Sequence, residues 1–170
     1  MSRHAYKEHA TALPTHVGAT YVGPERREAS EVKGLRWRTQ VAVLWLILAS
    51  SMSAAIVLYL VEPGSIDKVR SGTVEGMDLG SFGVQVQFAI FWIVPWAMAF
   101  LAMVLKDALD RWVNGVVGLL AAFAYGSDVV GHTSDGGFGG EALVMTLATV
   151  IGLAIVWHAR KWPSPGPTQS

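Results

Sequence analysis

Apolar positions gather into four runs that contain no Lys, Arg, Asp or Glu: 39–61, 79–105, 112–127 and 142–158. A soluble domain of this size could not bury four such runs around one core without long polar faces on each. A bilayer-spanning helix needs about 20 apolar residues at ~1.5 Å of rise each. The first two runs exceed that length, and the third and fourth reach it with their boundary residues. The pattern predicts an all-α protein, an integral membrane four-helix bundle with spans at about 39–61, 79–105, 112–130 and 142–160. Around it lie a flexible basic tail over 1–36 and a short flexible tail over 163–170, both rich in residues that interrupt helices. Pro24-Glu25 nevertheless has the composition of a helix start that would run to Lys33.

The four runs are not equivalent. In the first, Ser50 and Ala54 are four apart, as are Ser51 and Ala55, a spacing that permits close helix approach. Glu62-Pro63-Gly64 ends that helix, and Ser65 can open a short surface helix stopped by Gly72. The second run carries Pro95 near its centre, where a bend is expected. Lys106 to Arg111 reads as a tight connection that makes the second and third spans antiparallel neighbours. In the third run, Asn114, Gly118, Ala121, Tyr125 and Asp128 fall within about 80° of arc, with Gly115 and Ala122 at the flank. Bulky Val116, Leu119, Leu120 and Phe123 occupy other directions. The small, polar face should meet other helices and the bulky face should point outward. The fourth run offers Ala148 and Gly152 for packing and Thr146 and Thr149 as interhelical donors. The packing candidates are thus Ser50, Ala54, Gly118, Ala122, Ala148 and Gly152.

Charge adds an orientation. Seven basic residues precede the first run, two lie in the first loop (Lys68 and Arg70), two in the second and none in the third, and two follow the last run. The positive-inside rule places both termini in the cytoplasm of a plasma-membrane protein. Trp37, Trp112, Trp157 and Trp162 at the ends on that side agree, since indole rings favour the headgroup level. The formal net charge of zero hides an acidic outer side that carries Glu62, Asp67, Glu75, Asp78, Asp128, Asp135 and Glu141. Lys and Arg are excluded from outer loops by topology alone, so this bias does not by itself signal cation binding.

Composition removes many chemistries. Charged residues make up 15% against about 25% in soluble domains. Without cysteine there are no disulfides, thiolate metal sites or iron–sulfur clusters. No histidine lies deep in a span, so bis-histidine haem ligation across helices is out. No phosphate loop or nucleic-acid patch appears, and no cofactor is expected. The candidates that remain are the polar stripe Asn114, Tyr125 and Asp128, and an outer group of Glu62, His132, Asp135 and Glu141 around the glycine-rich segment 126–141. Asn114 is expected to make a structural hydrogen bond. The outer group has oxygen and nitrogen ligands but no recognised spacing, so no metal site is assigned.

Glu62-Pro63-Gly64 followed by Ser71-Gly72-Thr73-Val74, then Arg111-Trp112-Val113-Asn114, then Trp157-His158-Ala159-Arg160-Lys161-Trp162, occur in an order that resembles an uncharacterised family of small bacterial four-span membrane proteins, a domain of unknown function. The resemblance covers roughly 36–163. It implies the same architecture and no established activity. The expected function is a non-enzymatic structural, accessory or sensing component, with the lipid bilayer and a second copy or another membrane protein as partners. The alternatives are a small-solute or ion transporter working as a homo-oligomer, or a membrane enzyme or lipid-ligand binder.

Overall fold

The computed structural model describes residues 24–74, 76–134 and 139–161. The expectations for 1–23, Glu75, Asp135 and 162–170, and for the side chain of His132, lie outside the described residues. Helix α1 spans Pro24–Val61, so 24–36 is helical and not a flexible tail. Pro24 suits a first turn, Glu25 and Glu28 suit the positive helix end, and no further proline comes until Pro63. Extending an existing helix adds a hydrogen bond per residue without a new nucleation cost.

Gly64, at φ 85°, turns the chain into the short helix α2, Ser65–Arg70. A minimal hairpin follows. β1 (Thr73–Val74) pairs antiparallel with β2 (Met77–Asp78), with Val74 opposite Met77 and Thr73 opposite Asp78. Gly76 supplies the positive φ its turn requires. Ser81 then caps α3, Phe82–Val104, by accepting from the Val84 N–H at 3.4 Å. The second apolar run therefore begins with a cap, and α3 continues through a buried Pro95.

Helix α4 spans Asp107–Ser134 and α5 spans Gly140–Lys161. The third span thus starts a turn before Trp112 and runs through most of the segment read as an outer loop. Val129 and Val130 continue the apolar pattern there, and Asp107 and Asp110 favour the positive end of α4. Among the described residues, four helices are long and apolar enough to cross a membrane.

α1 packs along α3 on one side and α5 on the other, and α5 packs along α4. α3 and α4 are joined through Leu105 and Lys106 yet make little contact. The expected close pairing of these two helices is replaced by α4 against α5. Small residues explain it. Gly152 lies so close to α4 that an added Cβ would sit 3.0 Å from the Ala122 backbone nitrogen, and one on Gly118 would sit 2.9 Å from Ile155 Cγ2. Ala148 is fully buried on the same side of α5. Ser50 and Ala54 instead face outward, while Ser51 and Ala55 are buried. At about 100° per residue the former pair lies opposite Trp45, which together with Val41, Leu48 and Met52 forms the inner face of α1.

The hydroxyls of Thr146 and Thr149 bond back to the Ala142 and Met145 carbonyls of their own helix, not across helices. Leu119, Leu120 and Phe123 of α4 point outward, as the patterning of that span predicts, and so do Trp92, Trp96 and Phe100 of α3.

Candidate functional site

The bundle has two differing ends. The junction end holds the α3–α4 link, and the hairpin end holds α2, β1 and β2. At the junction end, Arg38 of α1 donates to the Met103 carbonyl at 3.2 Å and to Asp107 Oδ1 at 2.6 Å. One guanidinium therefore ties α1 to the end of α3 and the start of α4.

One turn further in is a buried polar cluster. Trp45 Nε1 of α1 donates to Asn114 Oδ1 at 2.6 Å. Asn114 Nδ2 donates to the Asp110 carbonyl at 2.8 Å and to Asp110 Oδ1 at 2.7 Å. All three residues have no solvent exposure. The amide uses its acceptor on one helix and both donors on the preceding turn, so its two ends are fully engaged. Asn114 thus makes the structural hydrogen bond expected of it, with Trp45 as the partner on α1.

Neither Trp45 nor Asp110 was among the sequence candidates. Asp110 sits one turn before Asn114 on the same face, so the stripe could have been extended back to it. A tryptophan deep inside an apolar run needs a partner for its N–H, and that requirement pointed to Trp45.

Beyond the cluster the stripe is closed. Gly118 meets Ile155 and Ala122 meets Gly152 in the close α4–α5 crossing. Polar character returns only at Tyr125 and Asp128. There the bundle contains a cavity of about 630 Å³, between α3 and α4 and under the hairpin. Met52, Ile56 and Tyr59 of α1 line one wall. Phe88 and Phe91 of α3 form another, and Val74 and Met77 of the hairpin close the top. Tyr125 is buried and packs edge-on against Phe91, with ring centroids 5.6 Å apart. The exposed lining residues Gln87, Ser127 and Asp128 mark the open side.

Asp128 and a half-buried Glu141 are the acids of the lining. The structure therefore brings Tyr125, Asp128 and Glu141 together and keeps Asn114 apart from them. Glu62 lies beside the start of α5, where a Cβ on Gly139 would be 3.3 Å from its Oε1. Among the described residues no three His, Asp or Glu side chains converge on a metal position.

The hydroxyls of Tyr59 and Tyr125 are buried with no hydrogen-bond partner among the described residues. An unmet buried polar group costs about 1–3 kcal/mol. Tyr125→Phe is accordingly expected to leave thermal stability in detergent unchanged or to raise it by up to about 1 kcal/mol. A clear loss on thermal unfolding would mean that the hydroxyl has a structural partner. A comparison of the chain with protein-family models, with curated proteins and with solved structures found no significant match.

Proposed function

We propose that the chain is an integral protein of the cytoplasmic membrane, with both termini in the cytoplasm, acting as a non-enzymatic sensing or accessory component that holds a small molecule at its hairpin end. The observation that carries this reading is the division of the α4 stripe. Asn114 is consumed by the bundle, the α4–α5 crossing closes the middle, and Tyr125 and Asp128 line a cavity at the hairpin end. A transporter would have to open the Gly118–Ile155 contact to join the two halves.

Orientation draws its support from the junction end, which gathers Arg36, Arg38, Lys106, Arg111, Arg160 and Lys161, against Lys68 and Arg70 at the hairpin end. Trp37 and Trp157 flank His158 at the same end, with ring centroids 5.1 and 4.9 Å from its ring, a grouping suited to a headgroup interface. Membership of a family of small bacterial four-span proteins belongs to this proposal as well.

The natural absence of cysteine makes single thiols clean reporters. In intact cells a membrane-impermeant maleimide should label Ser71→Cys at the hairpin end and leave Ala108→Cys at the junction end unlabelled until the cells are opened. The reverse pattern would overturn the orientation.

A further inference from the structure

We propose that Asp110 is a proton-binding site, which holds a proton on its carboxyl group in the packed bundle and makes the junction end sensitive to pH. The residue is fully buried. Its Oδ1 accepts from Asn114 Nδ2 at 2.7 Å. Its Oδ2 is buried as well and meets no hydrogen-bond donor among the described residues. An ionised carboxylate brings two acceptor oxygens and no donor, whereas a protonated one presents an acceptor and an O–H. The bonding of Asp110 fits the second form, with the proton on Oδ2. A neutral O–H without an acceptor costs far less than a buried charge with one oxygen unpaired.

The surrounding charges do not reverse this. Arg38 of α1 reaches the same end of α4, where it is bonded to Asp107 Oδ1 at 2.6 Å. The positive end of α4 favours an anion, but by less than it costs to take an incompletely paired ion out of water. Arg111 follows on α4, about 100° further round the helix. α3 has no charged side chain over 82–104, and Lys106 in the link is exposed. On α5, Arg160 is exposed and Lys161 lies 4.2 Å over the Trp157 ring. His158 pairs through Nδ1 with the Ala154 carbonyl at 2.8 Å.

With its proton in place, Asp110 belongs to a neutral chain of bonds that runs through Asn114 to Trp45 and joins α4 to α1. Loss of the proton sets a second carboxylate one turn from Asp107. It would compete for Arg38, the guanidinium that ties α1 to the α3–α4 link. The folded chain thus binds a proton that the unfolded chain releases at neutral pH, so stability falls as pH rises. A cytoplasmic source for the proton, and with it a role in sensing pH, rests on the orientation and role proposed above. The protonation itself does not.

The test is infrared spectroscopy of the full chain in phosphatidylcholine nanodiscs, with every aspartate isotope-labelled at its side-chain carboxyl carbon. An ordinary aspartate, with a pKa of about 3.9, is ionised at neutral pH. The wild type should nevertheless show the C=O band of a protonated aspartic acid, shifted by the label and by deuterium oxide. Asp110→Asn should abolish that band and Asp107→Asn should keep it. In equilibrium unfolding, the wild type should lose stability relative to Asp110→Asn as pH rises above about 4, by up to about tenfold in the folding constant per pH unit. If Asp110→Asn does not fold, Asp110→Glu makes the assignment, because it keeps the acid and removes its band from the labelled set.

A wild-type spectrum without a protonated aspartic acid, a labelled band that survives either substitution of Asp110, or equal pH dependence in the wild type and Asp110→Asn would each overturn the proposal. An inverted result in the cysteine labelling would leave an observed band standing, and an absent band would leave the labelled topology standing.

Discussion

Replacing Asn114 with leucine, a side chain of similar size, is expected to destabilise the bundle by about 2–4 kcal/mol. The substitution strands the Trp45 N–H and Asp110 Oδ1, both fully buried. Each stranded group carries a desolvation penalty of about 1–3 kcal/mol, and bulk solvent has no access to repair it. Asn114→Asp should be at least as costly. It keeps the acceptor for Trp45 but removes the donor to Asp110 and sets two carboxyl groups within hydrogen-bond distance. Combining Asn114→Asp with Asp110→Asn restores a donor–acceptor pair and should recover part of the loss. Reversible unfolding in mixed micelles measures all three. A neutral Asn114→Leu would show that the cluster contributes nothing to stability.

Substitutions at the α4–α5 crossing should rival that effect. At Gly152 an added Cβ meets Ala122 N, Cα and Cβ, each at 3.0 Å. Because the obstacle is backbone, no rotamer change relieves it, and one helix has to move. Gly152→Ala should cost about 1–3 kcal/mol, and Gly152→Leu more, by parting the two helices. Gly83→Ala is the matched control, since nothing lies within 4 Å of the position of its Cβ. That change should be neutral or mildly stabilising, because alanine is the better helix former by about 1 kcal/mol. Comparable losses at Gly152 and Gly83 would argue against a close crossing.

These two positions show how unevenly the sequence discloses the molecule. The four long helices follow directly from uninterrupted apolar runs. The inward face of α4 follows from a stripe of small and polar residues at helical spacing, and Asn114, Gly118 and Tyr125 are all buried. On α1 two small-residue registers compete, and spacing alone cannot choose between Ser50/Ala54 and Ser51/Ala55. The choice falls to the large residues, since Val41, Trp45, Leu48 and Met52 bring Ala55 inward with them.

Asp110 was hidden for a different reason. Its charged neighbours Lys106, Asp107 and Arg111 resemble a solvated connection, and burial becomes visible only once α4 begins at Asp107. The cavity lies furthest from the sequence. It exists because α4 prefers α5 to α3 and because a hairpin of four paired residues folds over the gap. No local pattern encodes either event.

The stability of the bundle depends on Asn114 being part of the scaffold and not of a ligand path. A double-mutant cycle between Trp45→Phe and Asn114→Leu tests that claim most directly, since Trp45→Phe keeps an aromatic ring and removes the N–H donor. A scaffold role for Asn114 implies a coupling of about 1 kcal/mol between the two sites, within the range measured for interhelical hydrogen bonds in membrane bundles. Additive losses, with coupling indistinguishable from zero, would contradict it and return Asn114 to the polar path.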